Sequence, residues 1–249
     1  MKKNIYSALT LVAFALLFWA SSTPKDMNSQ LIIPDYDFSP PSTVEPASAG
    51  IKMALFEASY PGNFSYSNKS PFKNFRISMG KDLEEILTSR GYIVKGPYDG
   101  YDLMTYSDKE ECELGLFADI DMNIDKTSGG WRNVTAAMQK FEGTLTVSGK
   151  ITLYISETFT KQKLIVKSLP IPQTDISVKS IANYNMYTIP NRELIPLEDP
   201  GVHNPIASAL KEFYQSTMKR AWDLLPKEDL LRVKNQAPQI RKEAGFIKN

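Results

Sequence analysis

A regular alternation of apolar and polar residues at 143–156 constrains the fold of this chain more than any other part of its sequence. The segment reads GTLTVSGKITLYIS, and its apolar members are Leu145, Val147, Ile151, Leu153 and Ile155. Successive side chains of a strand point to opposite faces, so the pattern predicts a long strand with one buried and one solvated face. Such strands are typical of antiparallel sheets, because parallel sheets are covered on both sides. We expect residues 161–169 to be its hairpin partner, and 176–189 to form a further strand and loop.

Residues 51–57 and 114–125 are also predicted to be strands, and another strand begins at 92–94. The polar side of 114–125 is mostly acidic and consists of Asp119, Asp121, Asn123 and Asp125. A row of carboxylates suits Ca²⁺, but an EF-hand loop needs glycine at its sixth position and glutamate at its twelfth, where this chain has Ile124 and Gly130. The alternation therefore favours a solvated sheet face over a metal site.

An amphipathic helix is predicted to begin with Ser70 as its cap and Pro71 as its first residue. Its apolar stripe has helical spacing and consists of Phe72, Phe75, Met79, Leu83 and Ile86. Gly91 suits the left-handed position just beyond the helix end. We interpret the stripe as part of the core rather than of a cofactor site.

A long C-terminal helix is predicted to begin at Asn204 and Pro205 by the same pattern of cap and proline. Its apolar stripe consists of Ile206, Leu210, Phe213, Thr217, Ala221 and Leu224. Pro226 ends it, and 227–244 is a second helical stretch interrupted at Pro238. Together these elements predict an α+β fold: a mostly antiparallel sheet with one solvated face, packed by the helix of the N-terminal half and by the long C-terminal helix.

The N-terminal segment has the pattern of an export signal. Lys2 and Lys3 precede an apolar run at 5–20, which is shorter than the ~20 residues of a typical membrane-spanning helix. Ala20 and Ser22 are small residues suited to cleavage after position 22. An uncleaved anchor is the alternative, and it also places the protein in the cell envelope. No cysteine lies directly after the apolar run, so we expect no lipid attachment at the cleavage position.

Three units are expected along the chain: a signal peptide or N-terminal anchor at 1–22, a proline-rich spacer at 23–50, and a single α+β envelope domain at 51–249. The spacer is predicted from five prolines, which favour extended backbone, at Pro24, Pro34, Pro40, Pro41 and Pro46.

Composition excludes several classes of function. The 29 Lys and Arg residues nearly balance the 28 Asp and Glu residues, which argues against a nucleic-acid binder built on bulk basicity. The single cysteine, Cys112, excludes a multi-thiolate zinc site, and its acidic neighbours should raise its pKa. The single histidine, His203, lies in a turn-rich segment typical of a structural role. We therefore expect a non-enzyme without catalytic residues, cofactor or metal.

One segment, DKTSGGWRN at 125–133, is a candidate ligand-binding loop. Its tryptophan offers a flat apolar surface, its basic residues can meet a carboxylate, and its short polar residues can form hydrogen bonds. The candidate residues are Lys126, Thr127, Ser128, Trp131, Arg132 and Asn133. The alternative interpretation is an ordinary hairpin loop whose tryptophan packs on the sheet.

Three blocks carry a resemblance to a known family: 72–94, which ends SRGYIV; FEGTLTVSGKITLYISE at 141–157; and WDLLPKEDLLRVKNQAPQIRKEAG at 222–245. Their order and spacing resemble the neuraminyllactose-binding haemagglutinin family, surface lipoproteins of gastric and related bacteria. The resemblance implies an α+β envelope domain on the cell surface or flagellar sheath, with a role in adhesion. This chain lacks the family's lipidation cysteine and has no clear match to the family's short basic run.

The sequence leads to two functional hypotheses. The first is an exported, adhesin-like binding protein that recognises acidic, sialylated host glycans. The second is a structural component of the envelope or flagellar sheath that binds other envelope proteins. Both place the chain in a bacterial envelope, at the outer membrane or cell surface, held there by its leader or by partners, with no nucleic-acid partner.

Overall fold

The computed structural model of the protein describes residues 30–62, 64–135, 138–183 and 195–246. Residues from Leu31 onward belong to one folded unit. The predicted leader at 1–22 and the first part of the predicted spacer lie outside the described residues, as do 184–189 of the predicted last strand region.

A five-stranded sheet in the order β2-β1-β3-β4-β5 forms the centre of the fold. Its strands are β1 (Lys52–Phe56), β2 (Ile93–Tyr98), β3 (Leu114–Thr135), β4 (Met138–Glu157) and β5 (Lys163–Asn183). β1 runs parallel to β2 and to β3, whereas β3, β4 and β5 are antiparallel neighbours. The expected α+β fold with a mostly antiparallel sheet is confirmed.

The alternating segment at 143–156 lies in β4, and its apolar members are buried as predicted. Two neighbouring expectations were wrong. Residues 125–133 are not a loop, because β3 continues through them to Thr135. Residues 163–183 are a single strand rather than two, since β5 follows β4 from the pair Ser156–Lys163 to the pair Met138–Asn183, with two register shifts on the way.

The helices are α1 (Phe72–Ser89), α2 (Tyr106–Glu111), α3 (Pro200–Leu224), α4 (Lys227–Lys234) and α5 (Ala237–Glu243), with a 3₁₀ turn at Tyr101–Leu103. In the described ranges, no helix is both long and apolar enough to cross a membrane. Gly91 has a φ of +79° just past α1, as predicted. Pro238 is the second residue of α5, and the break between α4 and α5 lies before it, at 235–236.

Two helix starts differ from the expectation. The Ser70 hydroxyl does not cap α1 but bonds to His203 Nε2 at 2.9 Å. α3 begins four residues earlier than Asn204, because the Asp199 side chain accepts a hydrogen bond from the Gly201 amide at 2.7 Å. The same carboxylate accepts the Ser180 hydroxyl of β5 at 2.7 Å, so a tertiary contact holds this cap in place.

The main core lies between one face of the sheet and helices α1 and α3. The predicted α1 stripe is fully buried, as is the α3 stripe apart from the half-buried Leu224. Burying one such apolar side chain contributes about 1.5–3 kcal/mol to the free energy of unfolding. On the opposite face of the sheet, a second cluster near β1 is formed by Phe56, Phe117, Met104 and Cys112, with Tyr98, Tyr101 and Tyr154 at its border.

Residues 31–50, which we call the arm, pack against the domain. Tyr36 is 3% exposed, and its ring lies 5.5 Å from that of Phe75 and 5.3 Å from that of Tyr214. Phe38 is also buried. The spacer predicted at 23–50 therefore does not extend over the arm, because its aromatic residues complete the core between α1 and α3.

Candidate ligand-binding surface

The six candidate residues lie on β3, at the end of the β3–β4 hairpin. A register shift between Lys126 and Ser128 divides them, so that Lys126 lies before the shift and Ser128, Trp131, Arg132 and Asn133 lie after it. Beyond it Trp131 stands opposite Phe141, and Arg132 opposite Lys140. Because neighbouring side chains of a strand alternate, Trp131 and Arg132 point to opposite faces of the sheet. The structure therefore does not bring all six side chains together.

Trp131 lies on the helix-packed face of the sheet. Its ring centroid is 5.4 Å from that of Phe141, and it packs at the border of the core. Its indole N–H is buried and has no hydrogen-bond partner among the residues that the structure describes. This placement matches the alternative interpretation of a tryptophan that packs on the sheet, and leaves one donor unsatisfied.

Arg132 belongs to a basic group on the open face of the sheet. The group comprises Arg132 on β3, Lys140 and Glu142 on β4, and Lys179 on β5, and we call it the hairpin patch. The register pairs Arg132 with Lys140, and Glu142 with Lys179. Three cations thus surround one carboxylate, and Arg132 and Lys179 are exposed.

The carboxylate of the hairpin patch is already engaged. Lys140 forms an ion pair with Glu142, and this contact is the main cause of a lowered pKa for Glu142; Lys179 and Arg132 act in the same direction. Lys179 and Arg132 themselves form no ion pair in the described part of the chain. The patch therefore has a net positive charge and two exposed cations, which suits a negatively charged ligand.

The other candidate residues have separate surroundings. The Thr127 hydroxyl bonds to that of Thr146, which donates to Asp175 at 2.6 Å. Asn133 accepts a hydrogen bond from the Gln139 amide at 2.6 Å. Lys126 and Ser128 are exposed. The contacts of Thr127 link β3, β4 and β5, and that of Asn133 links β3 and β4.

The paired glycines of the segment allow it to be a strand. Gly129 has a φ of +80°, and a Cβ placed there would lie 2.0 Å from the Glu142 carbonyl oxygen. Only glycine accepts both this backbone conformation and this approach. The Gly-Gly sequence, which is typical of a turn, here marks an irregular point in a continuous ladder.

Sequence reasoning missed Lys140, Glu142 and Lys179. A signal was present, because extending the alternation of 143–156 backwards places Lys140 and Glu142 with the polar residues of β4. Their proximity to Arg132 depends on cross-strand register, which a bulge shifts by one residue and which the sequence pattern does not specify.

The residues judged structural have structural contacts. Cys112 is buried, and burial raises the pKa of its thiol. His203 is buried, with Nε2 at 2.9 Å from the Ser70 hydroxyl and Nδ1 at 3.2 Å from the Asn204 side-chain oxygen. No group of three or more histidine, cysteine or acidic residues in the described ranges is arranged to hold a metal ion.

No family model matches this chain, and no curated protein matches its sequence. Among solved structures, its fold is similar to that of a homolog of neuraminyllactose-binding hemagglutinin from Helicobacter pylori. The two chains are 15% identical with a TM-score of 0.58, over 84% of this chain and 100% of that one. At this identity the similarity shows the fold alone, and it agrees with the fold that the sequence resemblance implied.

Two further solved structures align over much of the chain at lower scores. A lipoprotein from Caulobacter crescentus is 12% identical with a TM-score of 0.27, over 69% of this chain and 93% of that one. A protein from Xanthomonas campestris is 9% identical with a TM-score of 0.34, over 85% of this chain and 99% of that one.

Proposed function

We propose that this chain is an exported cell-envelope protein that binds acidic glycans through the hairpin patch. The observation that carries the proposal is the placement of Arg132 and Lys179, two exposed cations without ion-pair partners in the described ranges, on the open face of the sheet. The proposed activity is binding alone, with no catalytic step and no cofactor.

Envelope location is supported by the leader pattern, in which Lys2 and Lys3 precede the apolar run at 5–20. The leader or an envelope partner would hold the protein at the outer membrane or cell surface. The fold shared with the Helicobacter protein is compatible with this location, and the near-neutral charge of the chain argues against nucleic acid as the partner.

The chemistry of the patch suits a carboxylated sugar. The guanidinium of Arg132 can form two parallel hydrogen bonds to a carboxylate, and the ammonium of Lys179 can add a third charge-assisted bond. Glu142 would repel a second carboxylate placed between them. The site therefore favours a glycan with one acidic group over a polyanion.

A glycan array that pairs each sialylated glycan with its neutral parent tests this proposal. We expect signal from the acidic member only, and its reduction by about tenfold in Arg132→Gln and Lys179→Gln. Lys73→Gln is the matched control, since Lys73 is an exposed cation on α1, outside the patch. Equal binding of acidic and neutral glycans, or no binding at all, would reject the proposed ligand.

The alternative function is that of a structural component of the envelope or flagellar sheath. Cell fractionation with surface proteolysis locates the protein, and crosslinking in intact cells identifies its neighbours. Stable co-purification with envelope proteins, together with no binding signal on the glycan array, would replace the glycan-binding proposal with this one.

A further inference from the structure

We propose a second binding site, for a small sugar acid, in a cleft between the arm, the end of α1 and the junction of α3 and α4. The cleft has a volume of about 180 Å³ and is lined by Ser42, Ser48, Ser89, Arg90, Trp222 and Lys227. None of these residues belongs to the hairpin patch, so the site goes beyond the proposed function and does not depend on it.

The charged side chains that line this cleft are both positive. Arg90 and Lys227 both line it, and neither forms an ion pair with a residue in the described ranges. Two cations that line one cleft repel each other, and an anion placed between them would relieve that repulsion. The electrostatics therefore favour a ligand with one negative group.

Arg90 is held in place before any ligand arrives. Its guanidinium lies 3.8 Å from the Trp222 ring centre, and Nη2 donates to the Trp222 carbonyl oxygen at 2.5 Å. Its Nε–H is buried and has no hydrogen-bond partner in the described part of the chain, and the same holds for the hydroxyl of Tyr92 two residues later. A fixed guanidinium loses little side-chain entropy on binding, which favours affinity.

The other groups that line the cleft indicate what kind of molecule bears the negative group. Three serine hydroxyls, from Ser42, Ser48 and Ser89, can both donate and accept hydrogen bonds, as sugar hydroxyls do. Trp222 also lines the cleft, and one face of its ring is covered by the Arg90 guanidinium. The volume is below the ~300–1,000 Å³ of sites for drug-sized ligands, so it suits one sugar ring.

A purely structural role for Arg90 is the competing explanation. Arg90 is the cap residue at the C-terminal end of α1, where a cation interacts favourably with the helix dipole. That role explains neither the presence of Lys227 in the cleft nor that of the three serine hydroxyls. It predicts that loss of Arg90 changes stability alone, whereas a binding site predicts an effect on ligand affinity from Lys227 as well.

Titration of the isotope-labelled full chain, followed by NMR of the tryptophan indole signals, tests the site. The probes are glucuronate, its neutral counterpart glucose, and inorganic phosphate. We expect glucuronate to shift the Trp222 signal, with no shift from glucose and a weaker one from phosphate. Equal effects of glucuronate and glucose, equal effects of glucuronate and phosphate, or no effect of glucuronate would each overturn the proposal.

Two lysines provide a matched comparison. Lys227 donates to the Ser48 carbonyl at 3.2 Å, and Lys234 donates to the Gly50 carbonyl at 2.9 Å outside the cleft. Each substitution by glutamine removes one charge and one bond to the arm, and Lys234→Gln also removes an ion pair with Glu113 at 3.8 Å. We expect Lys227→Gln to weaken glucuronate binding about tenfold and Lys234→Gln to leave it unchanged. Equal affinities of the two variants for glucuronate would show that the cleft is not the binding site. This comparison does not require a variant at Arg90.

Discussion

Arg241, on the last helix, and Glu157, at the end of β4, form an ion pair inside the protein. Arg241 Nε lies 2.6 Å from Glu157 Oε1, and both side chains are buried. Arg241 also donates to the Lys109 carbonyl at 2.8 Å, and Glu157 accepts the Thr160 amide at 2.7 Å. These contacts satisfy both charges, so neither can be lost without leaving the other unpaired.

We therefore expect Arg241→Met to lower the free energy of unfolding by about 3–5 kcal/mol, because Glu157 would remain charged and buried. The matched control is Arg232→Met, which breaks an exposed pair with Asp229 and should cost less than about 1 kcal/mol. Urea unfolding of the three proteins measures both values. A cost for Arg241→Met no larger than that of the control would show that the buried pair contributes little.

Asp82 gives the protein a specific dependence on pH. Its carboxylate is buried and accepts the Tyr214 hydroxyl at 2.7 Å. Burial raises the pKa of Asp82 to about 6, and the nearby charges of Asp37 and Glu85 act in the same direction. In the unfolded chain the pKa of this group returns to about 4. Between these values the folded state holds more protons than the unfolded state, so this group's contribution to stability falls as pH rises from about 4 to 6.

Asp82→Asn should remove that contribution while keeping an acceptor for Tyr214. We expect the difference in unfolding free energy between the parent and the variant to change by about 2–3 kcal/mol between pH 4 and pH 7. Urea unfolding across this range tests it. A constant difference would mean that Asp82 has the same pKa in the folded and unfolded chains.

At the scale of elements, two helical glycines should respond to alanine in opposite directions. A Cβ at Gly201, at the start of α3, would lie 1.8 Å from the Lys179 carbonyl oxygen of β5. A Cβ at Gly80, inside α1, would meet no atom within 4 Å. The first substitution forces α3 away from the sheet, whereas the second only improves helix propensity.

We expect Gly201→Ala to lower the free energy of unfolding by about 1–3 kcal/mol and Gly80→Ala to raise it by about 0.5–1 kcal/mol. Thermal and urea unfolding measure the sign of the change in unfolding free energy for each variant. If Gly201→Ala were neutral, the close approach of α3 to β5 would not be needed for stability.

Elements whose identity depends on local pattern were predictable, and those that depend on distant contacts were not. The alternation of β4 and the stripes of α1 and α3 indicate burial directly, because each pattern has the period of its element. The start of α3 was missed, since the choice between Asp199 and Asn204 as cap is made by the contact of Asp199 with Ser180.

The candidate site also combines features set by the local sequence with features set by distant contacts. Arg132 was predicted from its type and setting, but its neighbours Lys140 and Lys179 come from other strands and depend on the register past a bulge. Residues 125–133 were predicted as a loop because Gly129 and Gly130 are typical turn residues. In the structure Gly129 instead permits close contact with β4.

At the scale of the whole molecule, the leader predicts the form of the protein found in cells. Cleavage after Ser22 should give a mature chain that begins at Thr23 and carries no lipid, because the single cysteine, Cys112, lies far from the cleavage position. N-terminal sequencing of the envelope fraction and labelling with palmitate test these two points. An intact Met1 on a cytosolic protein would contradict export, and palmitate incorporation would contradict the absence of lipid.

The arm links the first and last parts of the folded unit to each other. The Ile32 amide donates to the Asn204 side chain at 2.9 Å, and Lys234 donates to the Gly50 carbonyl, across 172 and 184 positions of the chain. Closing a loop of that length costs about 4–5 kcal/mol of chain entropy, so the contacts form late in folding. A chain exported with its N-terminus leading would expose Tyr36 and Phe38 until α3 followed. During that interval the arm would present apolar surface to which other proteins can bind.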